Sequence, residues 1–122
     1  MKRQLSAQEI INYYIEIGPI LEDSVLSGNY KKGNQFTKKS IDIFKLMEQD
    51  LDLAKVVLFE LLNENNIEIK ITAAAYCLSL KIYVDKAVEI LKTIKKDKGT
   101  MIFGFEAEMI LKEWKRGDLK IY

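Results

Sequence analysis

Histidine is absent from this chain, and cysteine and proline occur once each, as Cys77 and Pro19. Losing histidine removes the commonest general base near neutral pH and the commonest metal ligand, which argues against nucleophilic triads and zinc sites. A single cysteine cannot close an internal disulfide, and a reducing compartment is expected. One proline and six glycines in 122 residues, of which 48% are apolar and 30% charged, fit a helical domain rather than a disordered chain. Charge of one sign is also lacking: 19 basic residues against 18 acidic ones leave +1, so the one-signed field that nucleic-acid or anionic-membrane binding needs is missing. No apolar run approaches the roughly 20 residues of a membrane span. After Met1-Lys2-Arg3-Gln4, the polar residues Ser6, Gln8, Glu9 and Asn12 interrupt any run of signal-peptide length. The cytoplasm is therefore the expected location, with no membrane partner. Glycine-rich phosphate loops, the calcium-loop pattern and the G-x-S-x-G elbow are missing too. No cofactor, no metal site and no enzymatic reaction are expected.

What is present is helical periodicity. Ser6-Ala7-Gln8-Glu9 has the form of a capping box, so a helix should start there. Ile10, Tyr14, Ile17 and Leu21 mark its apolar face, and Gly18-Pro19 predicts a kink or short break. Gly28-Asn29 ends that element, and a second helix is expected from about Tyr30 to Met47, with Phe36, Ile43, Phe44 and Met47 inward, closing an antiparallel hairpin.

Beyond Gln49-Asp50 the chain repeats itself at an offset of 33. Ala54 matches Ala87, Val57 matches Ile90, Leu58 matches Leu91, Leu61 matches Ile94, Ala74 matches Ala107 and Leu78 matches Leu111. In the first copy, the outer helix carries Ala54, Val57, Leu58, Leu61 and Leu62, the turn is Asn63-Glu64-Asn65-Asn66, and the inner helix carries Ile71, Ala74, Ala75 and Leu78. In the second, Lys95-Lys96-Asp97-Lys98-Gly99 makes the turn and Phe103, Ala107, Ile110, Leu111 and Trp114 form the inner stripe. The five residues from Asp118 to Tyr122 are too few for a strand and are expected to fold back along the last hairpin.

Two of these segments resemble known sequences. Ile69-Lys70-Ile71-Thr72-Ala73-Ala74-Ala75 resembles the V-R-x-x-A-A core of HEAT-type repeats, with lysine in place of arginine. Gly104-Phe105-Glu106-Ala107-Glu108-Met109-Ile110-Leu111-Lys112-Glu113-Trp114-Lys115-Arg116-Gly117 resembles the closing signature of a family of small bacterial HEAT-like proteins. That family is catalogued as a domain of unknown function and associated with immunity proteins of polymorphic toxin systems. The resemblance extends over the whole chain, including Lys2-Arg3-Gln4-Leu5-Ser6. The second copy departs from the repeat core at Phe103 and Glu106, which marks it as a C-terminal cap. The resemblance implies one all-α, HEAT/ARM-like domain over 1–122, of about six helices in antiparallel pairs. Its units would be an N-terminal hairpin (1–50), a HEAT-like pair (51–81) and a capping pair (82–117). It supplies no catalytic residues.

The residues themselves offer little chemistry. Cys77 lies beside the Ala74, Ala75, Leu78 stripe with nothing to activate it and reads as core. Glu106 and Glu108 point apart, and Glu9 and Glu16 make no ligand set. Lys92, Lys95, Lys96 and Lys98 form the strongest charge run, which reads as a solvated helix end. Apolar residues lying off the stripes are more telling. Tyr76, Phe105 and Met109 on the inner helices are candidate anchors for a protein partner, with Glu106, Lys112 and Glu113 as orienting charges at the rim; the alternative is that the first helical hairpin covers these apolar residues. Together with the resemblance, this predicts a protein-binding module, a monomer or weak dimer, that neutralises a toxin domain. A nucleic-acid-binding repeat and a small adaptor or homo-oligomer are the alternatives.

Overall fold

The computed structural model describes residues 5–97, 99 and 101–122. The opening residues 1–4 and Lys98 of the basic run lie outside these. Seven helices account for most of the chain, in adjacent packed pairs, and no strand occurs among the described residues. They are α1 (Ala7–Ser27), α2 (Tyr30–Asn34), α3 (Thr37–Gln49), α4 (Leu51–Leu62), α5 (Ile67–Leu80), α6 (Val84–Lys96) and α7 (Met101–Arg116).

Helix α1 begins as its sequence demands. The Glu9 amide donates to Ser6 Oγ at 3.1 Å and the Ser6 amide donates to Glu9 Oε1 at 3.1 Å, so two otherwise orphaned donors are satisfied reciprocally. It ends at Gly28, whose φ of 72° is the left-handed stop that glycine adopts without strain. Between these points the expected break at Gly18-Pro19 does not occur. Pro19 leaves the Ile15 carbonyl without its intrahelical donor, but Ile15 is exposed and water can serve that carbonyl. Gly18 has a different job: a Cβ there would sit 2.5 Å from Ile69 Cδ1, so its bare backbone is what lets α1 lie against α5. The helix expected over 30–47 is instead two. Gly33 and Asn34 are poor helix formers, the chain turns at residues 35–36, and Phe36 is carried inward to an edge-to-face contact with Tyr13.

The repeated half packs in register. Ala54, Leu58, Leu61, Ala74 and Leu78 are buried, and so are their counterparts Ala87, Leu91, Ile94, Ala107 and Leu111. Asp50 and Asn66 cap α4 and α5 by accepting the amides of Leu53 and Ile69. Helix α5 is the central element: it packs on α1, α4, α6 and α7, and nearly all of its residues from Ile71 to Leu78 are buried. The α5–α6 turn is tight. Lys81 and Tyr83 both take positive φ, 61° and 49°, while Ile82 is driven into the core. A left-handed tyrosine is strained by about 1–3 kcal/mol. Its hydroxyl donates to the Lys55 carbonyl at 3.1 Å and its ring lies 6.2 Å from that of Phe59, which hold it in place.

After Gly117 the tail stays beside α7, with the Asp118 amide donating to the Glu113 carbonyl at 2.8 Å and Leu119 and Ile121 lining one groove with Ile110, and it also reaches α3. Leu119 and Ile121 are half-buried, the Tyr122 ring meets Phe44 at 5.9 Å, and the Tyr122 hydroxyl donates to Glu48 Oε1 at 2.8 Å. The chain end therefore bridges α7 and α3, because Phe44 offers an aromatic contact that α6 does not.

Candidate functional site

Between α1, the α2–α3 bend, α5, α7 and the tail lies a groove of about 360 Å³. Its walls are mainly apolar: Leu21 and Tyr14 from α1, Phe36 and Ile41 from the bend and α3, Ile71, Ala75 and Tyr76 from α5, Ile110 from α7, and Leu119 and Ile121 from the tail. Thr37, Ser40 and Thr72 add hydroxyls. At its floor are two carboxyls from adjacent inner helices, Glu68 on α5 and Glu106 on α7.

Glu68 is only 8% exposed, and its Oε2 is buried without a hydrogen-bond partner. Leaving a polar atom so placed costs on the order of 1–3 kcal/mol. Its carboxyl is pushed up to about 9, first by burial, then by the neighbouring Glu106 charge and hydrogen bond, and last by Glu22 on α1. The Glu106 carboxyl is raised as well, by burial, while the hydrogen bond with Glu68 pulls it back. Both carboxyls are thus raised, and the pair holds on to a proton more tightly than ordinary glutamates do, as expected when two acids share a poorly solvated site. Chemically, such a pair can keep its proton, donate it to an acceptor, or exchange it for a cation. Glu113 and Lys120 also line the mouth, and no ion pair among the described residues joins Lys120 to either acid. No cluster of described residues could hold a metal ion.

The six residues singled out from the sequence are dispersed around this groove. Tyr76 is not an exposed anchor: it is 6% exposed, meets Phe44 in a tilted ring contact at 4.8 Å, and shares a 3.1 Å hydroxyl–hydroxyl bond with Tyr14. The first hairpin covers it, so it forms groove wall. Burial raises both phenols, so they stay protonated, and in their shared bond one hydroxyl donates while the other accepts. Glu106 lies on the floor and Glu113 at the mouth, not both at an outer rim. Phe105 is 65% exposed, next to exposed Met101 and Ile102, and half-buried Met109 lies one helical turn on. These apolar residues border Glu106 on the surface of α7. Lys112 is turned away from the groove and pairs with Glu108 at 3.3 Å. Cys77 is core, with burial pushing its thiol up to about 12.

Sequence reasoning passed over Glu68 and never paired it with Glu106. The signal was present in the stripes. Glu68 extends the Ile71–Ala75 face by one turn, and Glu106 falls between Phe103 and Ile110, so each acid interrupts an apolar face at helical spacing.

No protein-family model, no curated protein and no solved structure matches the chain.

Proposed function

We propose that this chain is a cytoplasmic protein-binding module of the immunity type, which occupies a cognate toxin domain and blocks it by steric and electrostatic contact. One observation carries this reading: the helix that brings Glu106 to the groove also bears exposed Ile102 and Phe105 and half-buried Met109 on its surface. Buried polar specificity beside aromatic and methionine anchors is how protein interfaces divide their work. The reading assigns the chain no reaction. It also answers a difficulty raised by the neutral net charge, since blockers of nucleases are commonly acidic and here the acids are concentrated in one place. The nucleic-acid alternative fits less well, because phosphates would meet Glu68, Glu106 and Glu113 in the groove, whereas the exposed Lys92, Lys95 and Lys96 in the last turns of α6 do not line it. No helix of the described residues is long and apolar enough to cross a membrane.

Growth rescue tests the reading. Each large secreted-type protein with a variable C-terminal domain encoded beside this gene is expressed as its toxin domain, with and without the chain. Rescue by the wild type, weakened by Phe105→Ala and accompanied by a stable complex in high salt, is expected. Toxicity that the chain leaves unchanged in every case would sink it.

A further inference from the structure

We propose that Glu68 and Glu106, side by side at the floor of the groove, are the seat for a guanidinium group, an arginine side chain that the protein partner inserts between α1, α3 and α7. The inference rests on the protein-binding reading above and names the partner's chemistry. Three observations converge on it. Glu68 lines the groove, and its Oε2, buried just behind that lining, has no hydrogen-bond partner among the described residues, so once the pair gives up its proton this oxygen is an acceptor without a donor. The charges around the pair are lopsided: Glu106 on α7 and Glu22 on α1 act on Glu68, Glu113 of α7 lines the same groove, the α2–α3 wall brings the hydroxyls of Thr37 and Ser40, and Lys120 on the tail is the one cation among the described lining residues. Tyr14 and Tyr76 are the remaining titratable groups, and each is held by the other. The walls are also aromatic, with Tyr14, Phe36 and Tyr76 around a volume on the order of a dozen waters.

Guanidinium suits this place better than ammonium. It is flat, carries five donors in a fork that can meet two carboxylates at once, stacks on aromatic faces, and gives up its water more readily. Binding would be an exchange. The Glu68 proton leaves to solvent, both carboxylates accept N–H donors, and one positive charge takes the proton's place. Affinity should therefore rise with pH through the neutral range, by up to about tenfold per unit while one proton is released per arginine bound.

The test uses the full chain and N-acetyl-arginine methylamide as probe, followed through the side-chain carboxyl carbon resonances of glutamate, with calorimetry in two buffers to count protons. Saturable shifts at Glu68 and Glu106 are expected, with a dissociation constant on the order of 1 mM and release of a proton at pH 7. Glu68→Gln should abolish the release and weaken binding about tenfold, whereas Glu108→Gln, on the paired outer face, should leave both unchanged. Equal shifts with the citrulline analogue, equal affinity for the lysine analogue, or no response at the two carboxyls would each overturn the assignment. Rescue that persists while the probe fails would overturn the guanidinium seat alone. A responding probe with no rescue would overturn the immunity reading alone.

Discussion

The pairs α4–α5 and α6–α7 are two versions of one unit, and their agreements and differences are sorted by location. Where helix meets helix the copies match: Leu58 and Leu91, Ala74 and Ala107, Leu78 and Leu111 are all buried. Around the groove they part. Ala73 is fully buried, whereas its counterpart 33 residues on, Glu106, is half-buried and lines the groove; Glu68 is buried, whereas its counterpart Met101 is the most exposed large apolar residue among the described ones. The acid pair is therefore no inherited feature of the repeat but is assembled from two non-equivalent positions. The reason is architectural: α5 packs on α1, α4, α6 and α7, while α7 packs chiefly on α5 and α6.

The largest effect that could break this comparison comes from the matched leucines. Both are fully buried, but Leu58 belongs to a helix flanked by α1, α3 and α5, and Leu91 to one packed chiefly on α5 and α7. Truncation to alanine costs about 2–5 kcal/mol in such sites, and the cost grows where neighbours cannot collapse into the space. Leu58→Ala is expected near the upper end and Leu91→Ala near the lower, measured by urea unfolding. Equal losses would mean that each pair carries its stability regardless of what flanks it.

The next effect separates Glu68 from Met101. A carboxyl pushed from its ordinary 4.5 to about 9 binds its proton more tightly folded than unfolded. Its contribution to stability is thus complete below about pH 4.5 and is eroded as pH rises towards 9, by at most about 1.4 kcal/mol per unit. Glu68→Gln keeps the shape and removes the titration. Its unfolding free energy should stay level between pH 5 and 9 where the wild type declines, leaving the variant more stable by about 1–3 kcal/mol at pH 8. Parallel pH curves would show that the proton resides elsewhere.

How far the sequence reaches is also sorted by location. Local rules and stripes sufficed for the Ser6 capping box, the inward faces of α1 and α3, the paired helices and the burial of Cys77. Three things depended on neighbours that no local pattern names. Gly18-Pro19 looks like a breaker until Ile69 is seen to need the space at Gly18. The tail looks uncommitted until Phe44 and Glu48 are seen to receive Tyr122. Tyr76 looks exposed until Phe44 is placed on it. The acid pair was half legible, since two stripes are visibly interrupted by glutamates, but that they meet follows only from α5 lying against α7.

A smaller effect compares how the two inner and outer helices begin. Helix α5 starts on Asn66, whose side chain accepts the Ile69 amide at 3.0 Å, while α6 starts on Tyr83, which offers no side-chain cap. Asn66→Ala should cost about 1 kcal/mol by thermal unfolding. A loss below a few tenths would mean that packing against α1 holds the first turn of α5 without its cap.

The smallest expected change in stability is at Phe105, and its smallness is what gives it meaning. Phe103 and Phe105 stand two residues apart on α7, yet one is 2% exposed and the other 65%. Phe103→Ala should cost about 3–5 kcal/mol, as core aromatics do. Phe105→Ala should stay within about 0.5 kcal/mol of the wild type, because a side chain already in water loses no burial when it is removed. Selection for folding therefore gives little reason to keep a phenylalanine there, beside Glu106 and at the edge of a groove. If Phe105→Ala unfolds near the wild-type temperature and weakens rescue of the toxin, its ring serves a partner. If it destabilises the chain by more than about 1 kcal/mol, the ring is part of the fold, and the apolar border of the groove would have to be redrawn around Ile102 and Met109.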